Sequence, residues 1–293
     1  MKTKRLLVLW FACCAMCFAT NAQLLYEISG NGLSKSSFLF GTHHMVGAEA
    51  AVDIPGVFRA FNDCNVVVGE FVDEADGNGQ AELERKILTS AQMEMSLLDL
   101  LNDEEARLID SALNTTMSLS LKELQFFRPN VIKMIYEMAV GESRNNEKKD
   151  KLSIDAYFQV AAAELGKRVC GLESIDKQAD MFFRSKPIEQ QVKILVEIIR
   201  NRNNIEDDYK KIENLYRAGD IDGLYDLLIE SEDMTEAEKF LLVDERNRDW
   251  MPMIEKYIKS EACFFAVGAL HLPGKEGLIN LLQKAGYKVK AVK

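Results

Sequence analysis

The chain is poor in the features that usually announce a function. Only three of its 293 residues are histidine. It has no Gly-x-Ser-x-Gly elbow, phosphate-cradling glycine loop, His-Glu-x-x-His helix or Gly-x-Gly-x-x-Gly fingerprint, so the common serine-hydrolase, nucleotide-binding and zincin readings fall away. Gly30-Asn31-Gly32 reads as a turn set. Basic residues are in deficit, with 36 Lys and Arg against 46 Asp and Glu and a formal net charge of −10 at pH 7. That balance argues against nucleic acid and anionic membrane surfaces as partners and suits a site that attracts a cation. Beyond residue 22 no apolar run approaches the roughly 20 residues a membrane span needs. Low-complexity stretches and Gly/Ser-rich linkers are missing too, so residues 23–293 read as a single domain with no transmembrane segment.

The N-terminus differs from the rest. Met1-Lys2-Thr3-Lys4-Arg5 is basic, Leu6 to Phe18 is apolar, and Thr20-Asn21-Ala22 offers a small-residue cleavage site. This is the pattern of a signal peptide over 1–22, which predicts export to the periplasm or the medium and a mature start at Gln23. Cys13, Cys14 and Cys17 raise a lipoprotein anchor as a lesser alternative, which the preceding Leu9-Trp10-Phe11-Ala12 fits poorly. Removing this segment takes away three basic residues and no acidic one, making the balance more acidic still. Cys64, Cys170 and Cys263 then remain. An odd set with no close spacing is neither a disulfide framework nor a zinc ribbon, so buried, reduced thiols are expected.

What is present is concentrated at the two chain ends. Leu24-Leu25-Tyr26-Glu27-Ile28 and Ser37-Phe38-Leu39-Phe40 read as hairpin strands, and Asn65-Val66-Val67-Val68 as a strand buried on both faces. Between them Pro55–Asp63 can form a helix. From about residue 79 to 257 the pattern is mostly helical, with starts marked by Asn102/Glu105, Ser120/Glu123 and Thr235/Glu238. One strand near 167–170 interrupts it. Cys263–Val267, a helix from Lys275 to Ala285 with Gly286 as its cap, and a strand Tyr287–Val292 close the chain. The predicted class is α/β, with a central mixed sheet built from both ends and a largely helical middle insertion.

The histidines sit where such a sheet binds ligands, just past carboxyl ends of strands. Phe40 runs into Gly41-Thr42-His43-His44, and Val267 into Gly268-Ala269-Leu270-His271. Alignment of the two Gly-x-x-His units selects His44 and His271, leaving His43 as a supporting or substrate-side group. Two further strand ends carry Glu70 and Glu173. Two imidazoles and a carboxylate suit a divalent metal with an open position for water. The plain alternative for each histidine is a satisfied buried imidazole, and for Glu70 an exposed loop carboxylate like Asp73, Glu74 and Asp76 after it. Arg246, beside Asn247 and Trp250 on a helix over Glu238–Tyr257, can form a bidentate pair with Glu173 or a substrate carboxylate, or belong to a solvated face. Asp155 reads as a helix-start residue and nothing more.

Together Phe40-Gly41-Thr42-His43-His44, Val68-Gly69-Glu70, Cys170-Gly171-Leu172-Glu173-Ser174, Glu245-Arg246-Asn247-Arg248-Asp249-Trp250 and Val267-Gly268-Ala269-Leu270-His271-Leu272-Pro273-Gly274 resemble the TraB/GumN family. That family is related to the Tiki metalloproteases and, more remotely, to erythromycin-esterase-like and haem-binding ChaN-like proteins. The resemblance implies an α/β sheet with a helical insertion and a site at the two Gly-x-x-His motifs with a nearby glutamate. The function expected is metal-dependent hydrolysis of a peptide or a related amide or ester bond. Mn, Co or Zn would be held by His44, Glu70 and His271, with Glu70 alternatively the base, and Glu173, His43 and Arg246 would complete the catalytic set. A metal-independent esterase-like hydrolase with a histidine base, and a non-enzymatic haem or metal binder, stay open beside it. Shared fold alone does not choose among them.

Overall fold

The computed structural model describes residues 23–44, 46–72, 85, 88–142, 152–184, 186–230 and 235–293. The expected signal peptide, the Asp73, Glu74 and Asp76 run and the start of the helical middle near residue 79 lie outside these.

Six strands form one sheet: β1 Leu25–Ser29, β2 Ser37–Thr42, β3 Val66–Gly69, β4 Arg168–Gly171, β5 Cys263–Gly268 and β6 Lys288–Ala291, in the order β4-β3-β5-β2-β1-β6. β4, β3, β5 and β2 are mutually parallel, whereas β1 pairs antiparallel with both β2 and β6. The sheet is therefore mixed and drawn from both chain ends, as the sequence implies. Continuous apolar runs take its centre: β2 and β3 are buried throughout, and Phe264, Phe265 and Ala266 of β5 with them. The alternating Lys288-Val289-Lys290-Ala291 takes an edge, where one face meets water. β4 is the other edge, which leaves Cys170 partly exposed while Cys64 and Cys263 are buried. The expectation of three buried thiols thus holds for two. All three are free, and burial pushes the Cys64 and Cys263 thiols up to about 12.

Four helices packed into the sheet's core matter for the site: α1 Val57–Asp63, α2 Ile154–Glu164, α3 Glu245–Ser260 and α4 Leu278–Lys284. Phe158 of α2 is the hub of one layer, with ring centroids 5.6, 5.2 and 5.0 Å from Phe40, Phe61 and Phe264. Buried rings of this size each remove well over 100 Å² from water and dominate such a core. α1 begins two residues after Pro55, because Gly56 at φ 77° takes a left-handed conformation that a helix cannot include. α4 begins at Leu278, later than expected, because Gly277 N–H turns back to the Gly274 carbonyl (3.2 Å).

The helical middle divides its loyalties. Ile154, Phe158, Tyr216, Ile221 and Leu224 join the sheet's core. Ile109, Leu113, Ile132, Tyr136, Val140 and Leu195 build a second core from helices Asp103–Met117, Pro129–Glu142 and Ile188–Arg200, joined by Leu97 of a 3-10 turn. All three expected cap pairs form reciprocal capping boxes, including Asn102/Glu105. Among the described residues no helix is long and apolar enough to cross a membrane.

Candidate functional site

Strand register brings the motifs together. Gly41 pairs with Val267 and Thr42 with Gly268, so the two Gly-x-x-His units leave neighbouring parallel strands side by side. On the other flank of β5, Gly69 pairs with both Ala266 and Gly171. Beyond the ladder, Leu172 N–H and Glu173 N–H donate to the Glu70 carbonyl at 3.0 and 2.9 Å, which holds Glu70 and Glu173 abreast. A side chain at Gly171 would meet the backbone of Phe71 and Val72 at 3.0–3.2 Å, so glycine is what allows the two loops to approach.

Arg246 lies at the centre. Its helix is not the uninterrupted one expected over Glu238–Tyr257: a π-helical turn, Phe240–Asp244, precedes α3, and Arg246 Nη1 donates to the Leu242 carbonyl at 3.1 Å. Such turns recur at functional sites. The guanidinium donates to Glu173 through Nε (3.1 and 3.2 Å) and Nη2 (2.6 Å), and through Nη2 also to Glu70 Oε2. Trp250, one turn on, places its ring 4.6 Å below the guanidinium carbon and donates Nε1–H to Glu173 Oε2 at 3.2 Å. Side-chain exposure of Arg246, Glu70 and Glu173 is 4, 8 and 2 %, which removes the solvated-face reading of Arg246. Buried charges persist only when paired and hydrogen-bonded, as these are.

Glu70 is also held by Gly268 N–H (2.8 Å, Oε1) and Gln178 Nε2 (3.1 Å, Oε2). Burial works against its ionisation. The surrounding His271, Arg246 and His44, with the Gly268 N–H, outweigh burial and hold the carboxyl at about 2. His271 is buried too. Its Nδ1 lies 2.7 Å from Asn247 Oδ1 and its Nε2 3.1 Å from Arg246 Nη1, with Trp250 stacked at 4.4 Å. Burial first, then the charges of Arg246 and His44, push it down to about 3 against the pull of Glu70, so the ring is neutral at pH 7.

His44 has a different setting. The segment after it bridges to the start of α2: Gly47 pairs with Ser153, and Ile154 N–H donates to the Val46 carbonyl at 3.1 Å. This carries Asp155 to His44, with Nδ1 3.0 Å from Oδ2. Asp155 is therefore more than a helix-start residue. The His44 side chain is 60 % exposed, and its hydrogen bond to Asp155, reinforced by the charges of Asp155 and Glu70, raises it to about 9. His43 packs edge-on against Tyr216 (centroids 5.5 Å) and is pushed down to about 4, chiefly by burial; Tyr216 in turn donates to the Gly41 carbonyl at 3.0 Å.

A divalent ion can be tested against this donor set. Glu70 Oε1 and His271 Nε2 are 3.6 Å apart, a span that two ligands of one cation can bridge. His44 Nε2 has no hydrogen bond among the described residues, and Asp155 Oδ1 is buried without a partner beside it. With His44 turned to Asp155, however, no three His, Cys, Asp or Glu side chains among the described residues form a ligand group. The donor chemistry suits an ion; two of the three expected ligands stand together, and the third faces Asp155.

Sequence reasoning missed Asp155, Asn247 and Gln178. Asn247 had a legible sign: Arg246, Trp250, Ile254 and Ile258 form an i, i+4 row of buried residues on α3, so the Arg-Asn pair opens a core-facing stripe. Asp155 and Gln178 lie 111 and 108 residues from their partners, beyond any local pattern.

A mixed sheet with a helical insertion and a buried polar cluster at the carboxyl ends of its parallel strands defines an α/β protein with a strand-end site. The chain belongs to the TraB/PrgY/GumN family, whose model matches residues 24–291. No curated protein and no solved structure matches it.

Proposed function

We propose that this chain is an exported hydrolase, periplasmic or secreted, that cleaves peptide or related amide or ester bonds with a divalent metal ion, Mn, Co or Zn, held by His44, Glu70 and His271. The observation that supports this reading is the adjacency of the two Gly-x-x-His strand ends, with Glu70 Oε1 3.6 Å from His271 Nε2. When bound, such an ion lowers the pKa of its water toward neutrality and polarises a carbonyl. The chain's own groups do the rest. Glu173 and Trp250 fix Arg246, whose charge faces the Glu70–His271 pair and stabilises negative charge developing there. Gly268 N–H and Gln178 hold Glu70 in one orientation. In this reading His43, packed edge-on against Tyr216 on the same loop, is the substrate-side group.

A second reading rests on the His44–Asp155 pair: a metal-independent hydrolase in which Asp155 orients His44, which serves as general base in the fraction that has shed its proton, a fraction that grows as pH rises toward 9. One experiment separates them. Purified protein is assayed for bound metal and for cleavage of a mixed peptide library, before and after chelation and on re-addition of Mn, Co or Zn. Loss on chelation, restored by metal and abolished in His271→Ala, is the expected result. Activity that survives chelation and disappears in Asp155→Asn selects the second reading.

A further inference from the structure

Asn247 makes three contacts whose directions are not interchangeable. Its Nδ2 lies 3.1 Å from the His271 carbonyl oxygen and 2.8 Å from the Glu276 carbonyl oxygen. Both are acceptors only, so the amide nitrogen must face them; the flipped amide would set three oxygens against one another. Oδ1 is then left facing His271 Nδ1 at 2.7 Å, and an amide oxygen only accepts. Nδ1 must carry the proton. At the other end of the ring, Nε2 meets Arg246 Nη1 at 3.1 Å, and a guanidinium only donates. Nε2 must be bare. Two independent neighbours thus require the same tautomer.

We infer that Asn247 is a positioning residue that fixes His271 as the Nδ1–H tautomer and aims the Nε2 lone pair at Arg246 Nη1. Asn247 itself is anchored by backbone on both sides of the loop after β5, so its amide cannot turn without breaking two hydrogen bonds. The two Gly-x-x-His histidines are thereby assigned different work. His271 offers an electron pair and no proton on the crevice side. His44 instead meets a carboxylate at Nδ1, and its Nε2 is unengaged among the described residues. This division of labour rests on the hydrolase reading; the tautomer does not.

The chain's scarcity of histidine makes the test direct, because only three imidazoles contribute to a long-range ¹H–¹⁵N spectrum of the ¹⁵N-labelled protein. His43→Gln and His44→Gln identify two of them and leave His271. The expected wild-type signature at pH 7 is a protonated Nδ1 and an unprotonated Nε2. In Asn247→Leu the acceptor is gone and the Nε2–H form should appear. In Asn247→Asp an oxygen still faces Nδ1 while the two carbonyls lose their donor, so the tautomer should persist although the melting temperature falls. A wild-type His271 found as Nε2–H or as imidazolium overturns the tautomer. An unchanged ring in Asn247→Leu shows that Arg246 alone sets it and overturns the role of Asn247, as does an Asn247→Asp ring that loses Nδ1–H. Should Asn247→Leu fail to fold, the wild-type and aspartate spectra still decide. None of these readouts depends on turnover, so an absent hydrolase activity and a wrong tautomer are separate results.

Discussion

The two Gly-x-x-His motifs end adjacent parallel strands, yet the protein treats them oppositely. His271 enters a short 3-10 turn, is buried, and is gripped by Asn247, Arg246 and Trp250. His44 emerges into a half-open loop and meets one carboxylate from a distant helix. The same four-residue pattern therefore yields a neutral acceptor on one strand and a carboxylate-paired ring on the next. A motif sets where a side chain leaves the sheet; neighbours arriving from elsewhere in the chain set its protonation and its freedom.

That contrast predicts a large asymmetry in stability. Arg246→Met leaves Glu70 and Glu173 as buried carboxylates without their cation, and removing one partner of a buried network typically costs about 3–5 kcal/mol. Chemical denaturation of Arg246→Met should show a loss of this size, and that of Asp155→Asn at the exposed motif a loss below about 1 kcal/mol. Equal losses would mean the two motifs are not in different environments.

Much of this arrangement was legible before the fold. The six strands appear within a residue or two of their expected places because apolar runs, β-branched residues and the Gly30-Asn31-Gly32 turn are local signals. The strand-end location of His44, Glu70, Glu173 and His271 follows from the same signals. The pairing of β6 with β1 at the sheet edge was not legible, and neither was the second helical core. Both depend on which surfaces meet after the chain has turned back on itself. Asp155 shows the limit most clearly: a lone aspartate at a helix start has an adequate local explanation, and only the Gly47–Ser153 bridge brings it to His44.

Measured in metal-free protein, the two histidines should also tilt the pH dependence of stability in opposite directions. His271 sits at about 3 when folded and near 6.5 when unfolded, so between these values the unfolded chain binds more protons, and stability is lost as pH falls below about 6.5. One such group contributes at most about 1.4 kcal/mol per pH unit. His44 is raised to about 9, but water screens its 60 % exposed ring, so its contribution is small; it is complete below about 6.5 and lost as pH rises through 9. Denaturation midpoints from pH 4 to 10 on wild type and His271→Gln and His44→Gln variants separate the two. The acid-side slope should flatten in the first variant and the alkaline-side slope in the second; the reverse assignment would dissolve the contrast.

The smallest expected effect lies in the His44–Asp155 pair itself. A hydrogen bond of 3.0 Å to a carboxylate is favourable, but the imidazole is 60 % exposed, so water screens the charge and competes for both groups. A double-mutant cycle of His44→Gln and Asp155→Asn should give a coupling of about 0–1 kcal/mol at pH 7, shrinking further in high salt. So weak a tether leaves His44 free to turn from Asp155 toward the Glu70–His271 pair, which a metal bound by all three expected ligands requires. If the cycle instead returned several kcal/mol, independent of salt, His44 would be locked to Asp155, and the metal-independent reading with His44 as the oriented base would become the better account of the site.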